Sequence, residues 1–409
     1  MAKHNETEYY QSSESDHAPM HRRHRFSARK YTWRYQLCRL PWLLLIVLGL
    51  MLPRMVDGNP AEVERIYSRM IYPVVSGIIA AITSIFPFSL AETLIIIVPV
   101  VLVSVLIIRL LKLVFGKLSA RHHNRIRFFS FLISLGIFAG VMLNLFYCMW
   151  GFNHYRLPAS ELLKLNSTER SVEQLAAVYE ELAKQAAELR AQVDEDDKGI
   201  YTIGDHDKAF ECVAQAYANL GEQNDLFSST AYRAKFVRLS EYMSRAGIAG
   251  IYIPYTAEMN VNVHQPDLYI LSGAAHETAH YMGFAREDEA NFFAYYVSLF
   301  SDDIALKYSS TMHALINCGN KLYEKDSGLY FEIREQIYTD GMNRDLNEYR
   351  MYYAAYEDEP AKQVSDSIND AYLQYNGQDD GIQSYGRMVD LVLAYFESIG
   401  FFEPMGFFD

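Results

Sequence analysis

Two long, predominantly apolar stretches, Leu94 to Phe115 and Ile126 to Trp150, constrain this chain more than any other feature. Each is long enough to cross about 30 Å of hydrocarbon as a helix, and neither carries an acidic residue. A lone segment in lipid must satisfy its own backbone, which leaves helix as its form. Between them lies a loop with Lys112, Lys117, Arg121, Arg125 and Arg127 and no Asp or Glu, which predicts a cytoplasmic side. A third apolar run, Leu37 to Val56, contains Arg39, Pro41 and Pro53 and looks like the core of a signal peptide. No small-residue cleavage motif follows Leu52, so it reads as an uncleaved anchor.

Residues 1–35 are polar and then basic, as expected of a solvated cytoplasmic tail ahead of a span. The stretch Ile71 to Leu90 is apolar but interrupted by Pro73, Pro87 and several Gly, Ser and Thr positions. If the tail and the basic loop share the cytoplasmic side, the number of crossings between them is even. Two crossings fit, which places 71–90 in the interface or in a re-entrant turn. The expected organisation is therefore a tail over 1–35, a membrane domain over 36–156 with three transmembrane helices near 37–56, 94–115 and 126–150, and an extracytoplasmic domain over 157–409. This describes a multi-pass protein of the cell membrane. Asn153, Tyr155 and Arg156, where the last span ends, are read as docking the domain onto the membrane.

Beyond Leu157 the pattern is soluble and mainly α. Ser171 with Gln174 forms a capping box for a helix reaching Val193. Further helical patterns cover 207–220, 232–245, 331–356, 360–375 and 384–399. Ile248 to Val263 is extended instead: Ile251, Ile253 and Tyr255 alternate around Pro254, which suits a small β edge element or a hairpin. A net charge of -13 and a pI near 5.4 give no support for nucleic-acid binding. The four cysteines form no C-x-x-C pair, so no disulfide framework is expected; Cys212 and Cys318 either pair or remain buried thiols.

The chemistry concentrates in LSGAAHETAHYMGFAREDEANFFAYYVSLF, residues 271–300. On a helix His276 and His280 share one face, so two imidazoles can meet one ion while Glu277 sits beside them. This is the H-E-x-x-H pattern of zinc peptidases. Zn2+ lowers the pKa of water to about 7, and a neighbouring carboxylate can then take the proton, the role that suits Glu277. A third ligand is required. Gly283 is placed to end the first helix in a left-handed turn, and a new helix starting near Arg286 offers Glu287, Asp288 or Glu289. Glu287 is preferred, because Glu287-x-x-Ala290-Asn291 puts a carboxylate and an amide one turn apart, where Asn291 can hydrogen-bond a ligating histidine.

The run HETAHYMGFAREDEAN resembles that of a bacterial membrane family known as domain of unknown function 3810, over most of the chain from about Pro41 and including WGFNHYR at 150–156. Its E-x-x-A-N helix is also similar to the third-ligand helix of gluzincin-type peptidases, where Asp often stands at the position of Asn291. The resemblance implies a zincin-like metallopeptidase domain with His276, His280 and Glu287 as zinc ligands and Glu277 as general base. A metzincin would need His where this chain has Arg286. In zincin-like peptidases a strand before the metal helix holds the substrate backbone by strand addition, a role open to 248–263. Tyr385 and Arg387 are candidate donors to the oxyanion of the transition state. The expected partners are a peptide or protein substrate and the lipid membrane. The alternative is a non-catalytic envelope scaffold or sensor with a structural zinc, although such sites are usually closed by four ligands and no fourth is evident.

Overall fold

A computed structural model of the chain describes residues 32–166, 168–376 and 387–405. It is mainly helical with one small sheet and divides into two compact units, Met1–Met51 with Ile97–Asn144, and Leu52–Ile96 with Leu145–Asp409. Among the described residues four helices are long and apolar enough to cross a membrane: α1 Trp33–Val56, α2 Pro60–Thr83, α3 Leu90–Phe115 and α4 Leu118–Met149. That is one more than the sequence suggested. Most of α1, α3 and α4 belongs to the first unit, whereas α2 lies wholly within the second.

The extra helix is where the sequence placed an interfacial segment over 71–90. It begins at Pro60 and ends at Thr83, and Pro73 does not break it. The turns over Val63–Ile71 are π-helical, and α-helical turns resume at Tyr72. Pro73 thus falls at the junction of the π and α turns, and the helix runs on through it.

In the first unit α1 meets α4 through two glycines one turn apart. A β-carbon on Gly140 would lie 2.9 Å from Leu45 Cβ and 3.0 Å from Ile46 N, so glycine is needed there for this approach; one on Gly136 would meet only the movable tip of Leu43, at 2.7 Å. Arg39, carried into this apolar unit, donates to Ser130 Oγ at 3.1 Å and Ser134 Oγ at 2.6 Å.

The second unit adds α5 Val172–Arg190, α6 His206–Gln223, α7 Ser240–Arg245, α8 Asp267–Tyr281, α9 Glu287–Tyr296, α10 Ile304–Lys325, α11 Ser327–Ile337, α12 Asp340–Tyr356, α13 Pro360–Tyr375 and α14 Met388–Ser398. The Ser171–Gln174 capping box opens α5 as expected. Two helical readings need correction. Within 232–245 only α7 is helical, because Lys235–Val237 is drawn into the sheet as β1; within 331–356 the chain breaks so that Thr339 can cap α12 by accepting from Met342 N–H. The sheet runs β1, then β3 Glu258–Asn262, then β2 Gly250–Ile253, with β1 parallel and β2 antiparallel to β3. The extended stretch is thus a hairpin whose first arm is an edge strand.

α8 and α9 lie in the core, with Phe284, Phe292 and Phe293 fully buried around them. Each such side chain contributes about 1.5–3 kcal/mol of burial. The sheet is joined to the start of α3 by Glu258. Its carboxylate accepts from Leu90 and Ala91 N–H and pairs with Lys235 Nζ at 2.5 Å, all in the interior. All four cysteines are free thiols, so Cys212 and Cys318 do not pair.

Candidate metal centre

The metal-binding pattern predicted for 276–291 is assembled from two short helices and the turn between them. α8 ends in a Schellman arrangement: Gly283 adopts φ +91°, its N–H donates to His280 O, and Phe284 N–H donates to Ala279 O. The left-handed residue turns the chain back, and α9 starts at Glu287, as the sequence indicated. His276 Nε2 lies 3.2 Å from Glu287 Oε2, and His280 Nε2 lies 3.7 Å from Glu287 Oε1. One ligating atom from each of the three residues falls within 4.8 Å of the others.

The imidazoles are oriented from behind. His276 Nδ1 bonds Asn291 Oδ1 at 2.9 Å, the contact expected of Asn291, and His280 Nδ1 bonds the Phe284 carbonyl at 2.7 Å. A carbonyl oxygen only accepts, so Nδ1 of His280 carries the proton and its neutral form turns a lone pair on Nε2 toward Glu287. Two imidazole nitrogens and a carboxylate form a donor set that suits Zn2+. Asp288 and Glu289, the other candidates for third ligand, point elsewhere. Asp288 faces Arg387 Nε at 3.3 Å, and Glu289 Oε1 accepts from Ala159 N–H and from Arg286. Arg387 therefore sits against the Asp288 carboxylate, and Tyr385 lies outside the described residues.

Glu277 is 5% exposed, and its Oε2 has no hydrogen-bond partner among the described residues. Burial pushes its carboxyl above the usual range, partly offset by His276 and His280. Edge strand β2 runs directly beside it: a β-carbon on Gly250 would lie 2.6 Å from Glu277 Oε1. Gly250→Ala is therefore expected to displace the carboxylate and lower any reaction that uses it by about 10²-fold, with metal content unchanged. Paired assays of turnover and metal content check this.

Sequence reasoning missed most of what holds the centre. Trp150 Nε1 donates to His280 O at 3.0 Å, and its ring stands edge-on to the His280 ring. Tyr72 of α2 donates to Tyr281 O at 2.7 Å. Arg156 is 1% exposed; it pairs with Glu64 of α2 at 2.7 Å and donates to Gly283 O at 2.9 Å. Asn153 accepts from Ser68 of the same helix. WGFNHYR thus fastens the turn between the two ligand helices to α2. Its local richness in aromatic and polar types was the only signal in the sequence, and Tyr72 had none.

Electrostatics tie the centre to pH. Burial opposes charge on His280, but the Glu287 carboxylate outweighs it and pushes the His280 pKa up to about 9. Its folded value lies above the ordinary 6.5, so without metal the pair stabilises the fold fully below about 6.5, and that contribution is lost as pH rises through about 9. A metal must displace this proton. Zinc affinity, measured by chelator competition, is expected to rise about tenfold per pH unit from neutrality toward 9.

A family model described as "Protein of unknown function (DUF3810)" matches residues 67–393. A search of curated proteins found no match, and neither did a search of solved structures.

Proposed function

The chain belongs to the DUF3810 family, whose model begins within α2 and spans α3, α4 and the residues of the candidate metal centre but not α1, and on that premise we propose that it is a membrane-anchored zinc metallopeptidase. The observation that carries the proposal is the convergence of His276, His280 and Glu287 with Glu277 buried beside them. His276, His280 and Glu287 would hold the ion. Zinc supplies a Lewis acid that acidifies water to a pKa near 7 and polarises a carbonyl.

The remaining steps belong to the chain. Asn291 and the Phe284 carbonyl fix the histidine tautomers. Glu277 takes the proton of the attacking water and returns it to the leaving amine; its raised pKa suits both transfers. Edge strand β2, passing within contact of Glu277, is placed to align an extended peptide by backbone pairing. A scaffold with a structural zinc would favour a fourth ligand, and among the described residues only three His, Cys, Asp or Glu side chains converge.

The proposed topology keeps three crossings, α1, α3 and α4, whose apolar faces are almost wholly unburied. α2, one third buried within the second unit, lies against the domain. With the basic loop over 112–127 in the cytoplasm, the metal domain is extracytoplasmic and meets peptides or proteins near the outer membrane surface.

The test is cleavage of a mixture of unstructured peptides by the full chain in detergent, read by mass spectrometry. Cleavage that stops with 1,10-phenanthroline and returns with zinc supports the proposal. No cleavage by zinc-loaded protein contradicts it.

A further inference from the structure

The polarity of α2 is the reverse of that of a water-facing helix. Ser68, Tyr72, Ser76 and Thr83 are buried, whereas Met70, Val74, Ile78 and Ile82 are 58–63% exposed. Recurring every fourth residue, the exposed four form one stripe, and Ile85, 76% exposed, continues it. No charged residue occurs between Arg69 and Glu92. A continuous apolar stripe turned outward in this way is a contact surface.

What covers it follows from where α2 is fastened. In the topology proposed above α3 and α4 cross the membrane in opposite directions, so the start of α3 and the end of α4 lie on one side of it. Both of these ends belong to the second unit, and α2 is tied to each. The Tyr67 hydroxyl donates to the Tyr147 and Cys148 carbonyls, at 3.3 and 3.1 Å, in the last turn of α4. At the other end of α2 the buried Lys235 Nζ donates to Thr83 O at 2.8 Å and to Phe88 O, just ahead of α3, at 3.1 Å. At about 1.5 Å per residue, Tyr67 and Thr83 are about 24 Å apart along the axis. A helix held at both ends on the same side of a bilayer runs along it and does not cross it.

Resting on that topology, and not on the peptidase chemistry, we infer that α2 lies in the plane of the extracytoplasmic boundary of the bilayer, with Met70, Val74, Ile78, Ile82 and Ile85 in contact with lipid acyl chains. Exposed Leu94 and Ile95 at the start of α3 extend the same apolar character toward the bilayer. The opposite face of α2 carries Tyr72, which donates to Tyr281 O at the end of the metal helix α8. The lipid surface and the metal centre therefore lie on two sides of one helix.

The test places a nitroxide on a cysteine introduced by Met70→Cys, Val74→Cys, Ile78→Cys or Ile82→Cys, in the full chain in lipid nanodiscs, with exposed Cys38 and Cys148 changed to serine. Power-saturation spectroscopy compares collisions of the label with oxygen, which concentrates in lipid, and with a water-soluble nickel chelate. A label at Val103→Cys, midway along α3, marks the bilayer centre. The four α2 labels are expected to favour oxygen at one shallow depth, about 5–10 Å into the boundary of headgroups and acyl chains. A label at Val74 or Ile78 as deep as the one at Val103 means that α2 crosses the membrane and overturns the inference. Labels that favour nickel, reporting water, or that are shielded from both, reporting a protein partner such as a second copy, overturn it as well. In each of these cases the three crossings stand. If nickel reaches the Val103 label itself, the topology fails and the inference fails with it.

Discussion

Glu277→Gln is expected to retain zinc and to lose peptide cleavage by about 10²–10⁴-fold, the range that one positioned proton-transfer group contributes. The amide has nearly the shape of the carboxylate and still fits beside Gly250, so the pocket has no reason to rearrange. It cannot take a proton. The ligands lie on other side chains, and His276 and His280 keep their bonds to Asn291 and Phe284. Metal content should therefore stay at the parent level while turnover collapses. Parallel loss of zinc would mean that Glu277 supports the fold of the centre; full activity would remove it from the mechanism.

Arg156→Leu is expected to lower the stability of the fold by about 3–5 kcal/mol, the usual result of leaving a buried partner charge unpaired. The guanidinium bonds both Glu64 oxygens, at 2.7 and 3.0 Å, lies 4.2 Å over the Phe284 ring and donates to Gly283 O. Without it Glu64 keeps only half-exposed Arg69, and the turn that carries Glu287 back to the histidines loses its anchor. Thermal unfolding of the full chain in detergent should shift down, and zinc affinity should fall with it. The double variant Glu64→Leu with Arg156→Leu should be less damaged than Arg156→Leu alone, because no charge is then stranded. Parent-like stability of the single variant would show that the buried pair is not an anchor.

The centre was legible because its parts are local. Four residues of helix bring His276 and His280 together, one left-handed glycine turns the chain, and one further turn aligns Glu287 with Asn291. Nothing distant had to be known. The capping box at Ser171 and the edge strand before the metal helix were readable for the same reason. What stayed hidden is long-range. Tyr72 reaches Tyr281 across more than two hundred residues, and Tyr372 meets His154 across a similar gap. No spacing rule reports such pairs. The stretch 71–90 was read as interfacial or re-entrant from Pro73, Pro87, scattered polar positions and the even number of crossings; that it is the end of a helix begun at Pro60 stayed hidden, because the π turns before Tyr72 leave no mark in hydropathy. The helical pattern over 232–245 failed because β3 competes for Lys235–Val237, a tertiary preference stronger than local propensity.

The most direct test of the central claim is the metal content of the purified full chain, measured by elemental mass spectrometry beside His280→Ala and Glu287→Ala. One zinc per chain in the parent and strong loss in both variants is the predicted result. A folded parent that holds no zinc when supplied with it, or variants that hold as much as the parent, would contradict the account at its base.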